Sequence, residues 1–249
     1  MQFPVDIDLL GLRLHPHPTF EALGYAVGLY LIVKLRSRHG DRIPNNTRWW
    51  VIAAAMVGGA LGSKALYWFE DPAALRAHWN DPAFLMAGKT VVGGLLGGLI
   101  GVELVKRLLG ELRSTGDLLA IPLAVGIAIG RIGCFLTGLP DRTYGSPTTL
   151  PWGVDFGDGV HRHPTQLYEI IFLTGLAFWL TRMTPRREGD LFKAFMVAYL
   201  GFRLVIDTLK PDVRIALGLS AIQWACIAGL LYYSRTFLKS GATQVEANV

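Results

Sequence analysis

The sequence contains seven apolar runs, each close to the length that a helix needs to cross a lipid bilayer. An α-helix spans the hydrocarbon core with about 20 predominantly apolar residues. The runs lie at roughly 19–36, 49–69, 87–109, 118–138, 166–182, 190–209 and 215–238. We therefore predict an all-α, polytopic integral membrane protein with about seven transmembrane helices. Residues 1–249 would form a single membrane-embedded domain.

The composition excludes several other classes of protein. Hydrophobic residues make up 51% of the chain and charged residues only 17%, whereas soluble domains carry about 25% charged residues. A chain with a mean hydropathy of +0.37 is neither disordered nor a coiled coil, and has too little polar surface for a soluble globule. The two cysteines, Cys134 and Cys226, lie in apolar runs and give no disulfide framework. The first 18 residues contain Asp6 and Asp8 but no basic cluster, so we expect no cleavable signal peptide.

The net charge of +5 is explained by membrane topology rather than by a nucleic-acid partner. Of the 24 Lys and Arg residues, 13 fall in the loops after spans one, three and five and in the tail, and seven fall on the opposite side. Cytoplasmic loops of membrane proteins carry the excess of basic residues. We therefore predict that the N-terminus lies outside and the C-terminus in the cytoplasm, with no nucleic acid bound.

One connection differs from the others. Residues 139–165 form a long polar segment, rich in Pro and Gly, on the predicted outer face. A long ordered loop within a compact protein is often functional. We therefore expect an outer functional loop at 139–165.

Several ionisable residues lie inside the predicted spans, where an unpaired charge is costly, and four of them are the most informative. Arg131, Arg203, Glu169 and Asp207 all fall in the outer halves of their spans, and each arginine lies on the order of 10 Å below the outer surface at about 1.5 Å per helical residue. In one interpretation, Arg131 pairs with Glu169 and Arg203 with Asp207, and the pairs only tie the spans together. In the other, the arginines bind an anion such as a phospholipid headgroup, since Arg offers a rigid donor fork for phosphate. The two interpretations are compatible, because the carboxylates would orient the arginines.

The glycine run GGLLGGLIG at 93–101 is typical of closely packed membrane helices. Gly93, Gly97 and Gly101 repeat every four residues, as expected for a small-xxx-small pattern. A P-loop is excluded, because that motif needs Gly where this chain has Ala83 and no strand precedes the run. We predict that these glycines, together with Gly58 and Gly62, serve helix packing.

The histidines occur as two short H-x-H pairs, His15 with His17 and His161 with His163. Two ligands do not make a zinc site, and no Cys or carboxylate has a matching spacing, so we expect no metal and no cofactor. A histidine near the mouth of a site is a candidate general base, although a surface histidine without a function is more common. Cys134 lies three residues after Arg131 and fits a small buried apolar residue better than a nucleophile.

Two motifs resemble those of the prolipoprotein diacylglyceryl transferase family. Gly130-Arg131-Ile132-Gly133-Cys134-Phe135, with Gly138 and Tyr144-Gly145, is similar to the family's G-R-x-G-N-F-x-N-G-E signature, and His163–Glu169 matches its H-P-[ST]-Q-L-Y-E segment. Gly58–Leu66, the glycine run and Gly201-Phe202-Arg203 with Lys210-Pro211-Asp212 follow in matching order. The resemblance covers nearly the whole chain.

The resemblance implies an activity and a set of site residues. Members of the family transfer the diacylglyceryl group of phosphatidylglycerol to the lipobox cysteine thiol of a preprolipoprotein at the outer face of the bacterial plasma membrane. They form a thioether, release glycerol phosphate and use no metal or cofactor. By this resemblance Arg131 contacts the lipid phosphate, and preorganised cations stabilise the developing charge of the leaving group. The implied catalytic residues are Arg131, Arg203, His163 and Glu169, and the implied substrate-binding residues are Arg131, Gly133, Gly138, Tyr144, Gln166, Tyr168, Asp207 and Lys210.

Several positions depart from the family pattern. Cys134 and Thr137 replace two Asn residues, the signature Glu is displaced by a longer segment at 139–142, and Val92 replaces a His that is a candidate base. Pro18-Thr19-Phe20-Glu21 stands where the family has Trp-Tyr-Gly. The chain is therefore either a divergent transferase, in which His163, Glu169 or Glu21 handles the proton, or a phospholipid-binding paralogue that is non-catalytic or has an altered substrate. A transporter is disfavoured, because no inverted repeat is visible.

Overall fold

A computed structural model of the chain describes residues 3–9, 11–40 and 43–246. The fold is mostly helical, and every predicted apolar run coincides with a long helix. The helices are α1 Pro16–His39, α2 Asn45–Glu70, α3 Pro72–His78, α4 Pro82–Met86, α5 Val91–Leu109, α6 Asp117–Thr137, α7 Thr165–Arg182, α8 Asp190–Ile206 and α9 Ala221–Glu246. The short helices α3 and α4 were not predicted. Residues 41 and 42, in the turn between the first two runs, lie outside the described residues, as do residues 247–249 of the tail.

Two helices begin later than the apolar runs suggest, and capping explains both shifts. Gly88 adopts a positive φ of 57°, and Thr90 Oγ1 then accepts a hydrogen bond from the Gly93 amide (3.1 Å), so α5 begins at Val91 rather than near residue 87. Before α9, Ser220 Oγ accepts from the Gln223 amide (3.1 Å). Such side-chain acceptors satisfy the amides that a helix N-terminus leaves without a partner.

Two small antiparallel hairpins add to the predicted all-α architecture. Strands β1 Ile7–Leu9 and β2 Leu12–Leu14 pair near the N-terminus, with Ile7 opposite Leu14. Strands β3 Val154–Asp155 and β4 His161–Arg162 pair inside the polar loop. Strands of two or three residues give almost no apolar periodicity, which is why the sequence did not indicate them.

The chain clusters into two units, one of which contains α1, α6 and α7. This first unit comprises the described residues of 1–41 together with 114–199 and 208–211. Helix α6 packs closely on α1, because a Cβ on Gly133 would meet Phe20 Cβ at 2.8 Å. At the opposite end of α6, Asp117 accepts hydrogen bonds from the amides of Gly189 (2.7 Å) and Phe192 (3.2 Å), which fixes the start of α8.

The second unit contains α2, α5 and α9. It comprises the described residues of 42–113 with 200–207 and 212–249, so α8 belongs to the first unit up to Tyr199 and to the second unit from Leu200. A Cβ on Gly97 of α5 would lie 2.7 Å from Gly62 Cα on α2, and one on Gly101 would lie 2.5 Å from the Ala54 carbonyl oxygen. The predicted packing role of these glycines is therefore confirmed. The prediction of one membrane-embedded domain over the whole chain stays a prediction.

Large apolar side chains cover much of the exterior of the long helices. Those at least 60% exposed include Tyr25, Leu29 and Tyr30 on α1, Trp49, Trp50, Met56 and Leu61 on α2, Ile100 and Leu108 on α5, and Ile171 and Phe178 on α7. Soluble monomers rarely expose contiguous apolar surface of this kind. By length and composition alone, two of the described helices, Asn45–Glu70 and Asp117–Thr137, meet the requirements of a membrane span.

Candidate functional site

A buried ion pair joins α6 to α7 in the first unit. Arg131 Nε lies 2.9 Å from Glu169 Oε2, and the Tyr199 hydroxyl donates a hydrogen bond to Glu169 Oε1 (2.6 Å). All three residues are buried, with Tyr199 at 0% exposure. The position of Arg131 is therefore set by the Glu169 carboxylate of α7, which is itself held by Tyr199 of a third helix, α8. The pairing of Arg131 with Glu169 predicted from the sequence is confirmed.

The guanidinium of Arg131 also contacts a cysteine that adjoins a histidine and two carboxylates. Arg131 Nη1 lies 3.7 Å from Cys134 Sγ, and Cys134 Sγ lies 3.9 Å from His17 Nδ1. The same ring nitrogen of His17 lies 2.6 Å from Asp141 Oδ1, while its Nε2 lies 3.6 Å from Glu21 Oε2. Cys134 is buried, as the sequence predicted, but its neighbours are polar.

The pKa values at this cluster are shifted by the contact between His17 and Asp141. His17 lies in the first turn of α1, ahead of the apolar run, and its hydrogen bond with Asp141 raises the pKa of the imidazole to about 10, with a further contribution from Cys134. Burial alone would raise the pKa of Asp141, but hydrogen bonds from His17 and Cys134 hold it below its usual value. At neutral pH, His17 and Asp141 therefore form an ion pair.

The segment 139–165 is an ordered loop anchored to the start of α7. Thr165 Oγ1 donates to the Thr143 carbonyl (2.6 Å), and Gln166 Nε2 donates to Thr143 Oγ1 (3.1 Å). Gln166 is 1% exposed, and among the described residues its Oε1 has no hydrogen-bond partner. A buried amide oxygen in this state is an acceptor that a bound hydroxyl group would satisfy.

Aromatic residues of the loop contact one another and Tyr168 in the first turn of α7. The Tyr168 hydroxyl accepts a hydrogen bond from Trp152 Nε1 (2.8 Å) and lies 3.3 Å from His163 Nδ1. Tyr144 packs beside Phe156, which is 2% exposed, with ring centroids 5.8 Å apart.

An ion pair between Arg162 and Asp158 holds the hairpin β3–β4 within the loop. Arg162 donates two hydrogen bonds of 2.7 Å to the Asp158 carboxylate, and these lower the pKa of Asp158 to about 2. These contacts order the loop, and its expected function on the outer face stays a prediction.

The second buried ion pair lies in the second unit and is local in sequence. Arg203 Nη2 lies 3.1 Å from Asp207 Oδ1, four residues away. The Ser220 hydroxyl donates to Asp207 Oδ2 at 2.5 Å, and Arg214 Nη2 donates to the Asp207 carbonyl oxygen at 3.2 Å. Arg203 and Asp207 are 3% and 0% exposed. This pairing was also predicted from the sequence and is confirmed.

The remaining predicted site residues occupy varied positions. Gly133 lies at the contact between α6 and α1, and Gly138 ends α6 with a φ of 73°. Lys210 is half-buried and follows Leu209, whose carbonyl accepts a hydrogen bond from the Ser146 amide of the loop (2.7 Å). The roles predicted for these residues in substrate binding stay predictions.

Several polar residues that contact the two arginine pairs, or lie beside them, were not among the predicted site residues. They include His17, Cys134, Asp141, Tyr199, Arg214 and Ser220. His17 is visible in the sequence only as part of an H-x-H pair, and Asp141 only as part of a segment longer than the family pattern. Tyr199 and Ser220 carry no signal in the sequence that separates them from other residues of an apolar helix and a turn.

Comparison with known proteins assigns the chain to a family of membrane enzymes. A sequence model described as "Prolipoprotein diacylglyceryl transferase" matches residues 4–237. The chain belongs to the prolipoprotein diacylglyceryl transferase family, and the resemblance seen in its motifs is confirmed.

Its relatives carry a more specific name, phosphatidylglycerol--prolipoprotein diacylglyceryl transferase. The relative from Clostridium tetani (strain Massachusetts / E88) is 32% identical over 226 residues, which cover 85% of this chain and 86% of the relative. The one from Bordetella parapertussis is 31% identical, covering 93% and 94% of the two chains. The one from Geobacter sulfurreducens is 30% identical, covering 87% of each.

Proposed function

We propose that this protein transfers the diacylglyceryl group of phosphatidylglycerol to the cysteine thiol of a prolipoprotein. The reaction is that of a transferase in lipoprotein biosynthesis, in keeping with the family and with the names of the relatives. The observation that carries the proposal is the buried Arg131, which stands in the G-R-x-G motif and is held by Glu169 of the H-P-T-Q-L-Y-E motif at 2.9 Å. Phosphatidylglycerol and a prolipoprotein are the proposed substrates.

Arg131 is the proposed contact for the lipid phosphate. When the diacylglyceryl carbon is attacked, its bond to the phosphate oxygen breaks and negative charge develops on the glycerol phosphate that leaves. A guanidinium fixed in a buried site stabilises this charge without reorganisation. Arg203 is the proposed second cation, with Asp207 orienting it, and Lys210 is a third candidate for contact with the anion.

Residues of the loop and of the start of α7 are the proposed binding site for the polar part of the lipid. Gln166 Oε1 would accept a hydrogen bond from a glycerol hydroxyl, because it is buried and has no partner among the described residues. Tyr168 and Tyr144 would line the same region, with Gly138 allowing the turn that leads into it. Gly133 would contribute through the close packing of α6.

Three groups, His163, Glu169 and Glu21, are candidates for taking the proton of the acceptor thiol. Glu21 is engaged by the Tyr25 hydroxyl (2.8 Å) and by His17 Nε2 (3.6 Å). His163 is half-buried, and its Nδ1 lies 3.3 Å from the Tyr168 hydroxyl. Glu169 is held by Arg131 and Tyr199, an arrangement that suits orientation of the arginine better than proton transfer. We therefore favour His163 of these three as the proton acceptor.

The proposed setting is the bacterial plasma membrane, with seven spans, an outer N-terminus and a cytoplasmic C-terminus. The seven long helices and their apolar exteriors support it, as does the distribution of Lys and Arg residues. The test is labelling of Ser146→Cys in intact cells with a reagent that does not cross the membrane. Labelling only after the membrane is opened would refute the proposed orientation.

A transfer assay tests the activity. Purified protein is incubated with phosphatidylglycerol and a peptide carrying the acceptor cysteine, and thioether formation is followed by mass spectrometry. We expect transfer by the wild-type protein and none to a peptide in which Ser replaces the cysteine. Binding of lipid without transfer by well-folded protein would instead favour a phospholipid-binding paralogue. The observation that favours this alternative is the replacement of the family's Asn and His by Cys134 and Val92.

A further inference from the structure

Several positions at which this chain departs from the family pattern meet in space beside Arg131. Cys134 stands in the last turn of α6 where the family has Asn, and Asp141 belongs to the segment that is longer than the family pattern. His17, in the first turn of α1, adjoins the stretch that replaces Trp-Tyr-Gly. Cys134 Sγ lies 3.7 Å from Arg131 Nη1 and 3.9 Å from His17 Nδ1, so one side chain separates the guanidinium from the imidazole. All four residues belong to the first unit.

The charge of His17 is fixed from one side of its ring. Nδ1 donates a hydrogen bond of 2.6 Å to Asp141 Oδ1, and the other oxygen of this carboxylate accepts one from Thr143 Oγ1 (2.9 Å). The bond to Asp141 is the main reason that the pKa of the imidazole rises to about 10, and Cys134 contributes further. A histidine with this pKa is a cation at neutral pH and a poor proton acceptor. It therefore does not replace, as a base, the histidine that the family has where this chain has Val92.

The other ring nitrogen of His17 faces the more exposed side of the cluster. Nε2 lies 3.6 Å from Glu21 Oε2, which is longer than a hydrogen bond, and Glu21 Oε1 accepts a hydrogen bond from the Tyr25 hydroxyl (2.8 Å). The side chains of His17 and Glu21 are 28% and 26% exposed. Within the described part of the chain, the Nε2–H group makes no hydrogen bond, so it keeps its capacity to donate one to a bound anion.

We propose that the imidazolium of His17 is a further contact for the phosphate of phosphatidylglycerol, donating a hydrogen bond from Nε2 while Arg131 donates from its guanidinium. This role rests on the proposed function, because it concerns the same lipid. Asp141 is the positioning residue, which keeps the imidazole charged and fixes its ring. Hydrogen bonds between charged groups are stronger than those between neutral groups. Two such donors, fixed before the lipid arrives, would orient the phosphate as well as neutralise it.

The imidazolium keeps its proton throughout the transfer step. The thiol proton passes to His163, as in the proposed function, and the sulfur electron pair forms the C–S bond to the diacylglyceryl carbon. The C–O bond to phosphate breaks, and its electron pair stays on the phosphate oxygen. Because negative charge grows on that phosphate as the bond breaks, the hydrogen bonds from His17 and Arg131 strengthen in the transition state. His17 should therefore support both lipid binding and the rate of transfer.

Lipid binding to the purified full-length protein in detergent tests the contact. A short-chain phosphatidylglycerol is titrated by calorimetry, and the diacylglycerol with the same chains, which lacks phosphate, is the control ligand. In His17→Gln the dissociation constant for the phospholipid should rise about 10- to 100-fold, as expected for loss of a hydrogen bond between charged groups, whereas that for diacylglycerol should not change. The matched control is His15→Gln, which alters an exposed histidine two residues away and should bind both lipids as the wild type does.

The pH dependence of phospholipid binding separates this role from a structural one. The pKa of His17 in the wild type lies well above neutral pH, so the affinity should stay nearly constant from about pH 6 to about pH 8. In Asp141→Asn this pKa should fall toward its ordinary value of about 6.5, and the cation is lost as the pH rises through that value. The affinity of the variant should therefore fall about tenfold over the same range. The other charged or titratable groups that face the imidazole, Glu21, Arg131 and Cys134, are the same in both proteins.

Unchanged phospholipid binding in His17→Gln, or an affinity of Asp141→Asn that does not depend on pH, would overturn the inference. If one of these variants does not fold, the other decides. His17→Lys retains a cation and should recover part of the affinity lost in His17→Gln, which a purely structural ring would not allow. Weaker phospholipid binding in His17→Gln, with no transfer by the wild type, would establish the contact and refute the proposed function. Transfer by His17→Gln with the wild-type KM for phosphatidylglycerol would refute the contact and leave the proposed function standing.

Discussion

The two buried arginine pairs differ in what surrounds them. Arg203 and Asp207 lie four residues apart with side chains 3% and 0% exposed, and Ser220 occupies the second oxygen of the carboxylate. Arg131 and Glu169 join two helices, and the arginine also contacts Cys134, next to the partly exposed His17. The Arg203–Asp207 pair is enclosed by its own polar partners, whereas the Arg131–Glu169 pair adjoins a cluster that a ligand can reach. Burial of charge alone therefore does not identify a binding site.

Burial does set the cost of disrupting either pair. Removing one partner of a buried ion pair leaves an uncompensated charge and costs about 3–5 kcal/mol, whereas replacing both partners by apolar residues is often nearly neutral. A single substitution therefore affects stability at both pairs. Single and paired substitutions together separate a structural role from a role in the reaction.

The largest effect is expected for Arg131→Ala. Loss of a preorganised cation that stabilises the leaving group lowers a rate by roughly 10²–10³-fold, and the Glu169 carboxylate left behind lowers the stability as well. The measurement is thioether formation per folded molecule, with folding followed by gel filtration and thermal unfolding in detergent.

The paired variant Arg131→Gln with Glu169→Gln is the control for this prediction. It removes both charges and should recover much of the stability, but it should stay as inactive as Arg131→Ala. Recovery of transfer in the paired variant would mean that the ion pair only ties α6 to α7.

Arg203→Ala should affect stability more than activity. Asp207 would remain buried without its guanidinium, at a cost of about 3–5 kcal/mol, whereas the rate per folded molecule should fall by less than the loss in Arg131→Ala. Thermal unfolding and the transfer assay measure the two effects separately. In Arg203→Met with Asp207→Leu, stability should return. An equal loss of rate in Arg131→Ala and Arg203→Ala would remove the distinction between the pairs.

Both ion pairs could be predicted from the sequence, because charges in apolar runs must find partners and the i,i+4 spacing or the matching depth supplies them. The long helices were predictable for a similar reason, since each needs about 20 apolar residues. The cluster of His17, Cys134 and Asp141 was not predictable. It depends on how α1 meets the end of α6, and that contact is set by the packing of Gly133 against Phe20 rather than by any spacing along the chain.

Ser220→Ala should lower stability without changing the rate per folded molecule. The hydroxyl donates to Asp207 and accepts from the Gln223 amide at the start of α9. A hydrogen bond to a charged group is worth about 1.5–3 kcal/mol, and loss of an N-cap costs about 0.5–2 kcal/mol. Ser220→Thr keeps the hydroxyl and serves as the control. A fall in rate similar to that of Arg131→Ala would place Asp207 in the reaction.

Tyr199→Phe should have the smallest effect on stability, but it should slow the reaction. Its hydroxyl donates to Glu169 at 2.6 Å, so the variant loses one hydrogen bond to a charged group, about 1.5–3 kcal/mol, without leaving a charge unpaired. Because Glu169 orients Arg131, loss of about 1.4 kcal/mol of transition-state stabilisation would slow transfer about tenfold. The exposed Tyr232→Phe is the control. A stability loss with an unchanged rate would make the Arg131 pair resemble the Arg203 pair, and the phosphate contact would then have to be sought among other cations.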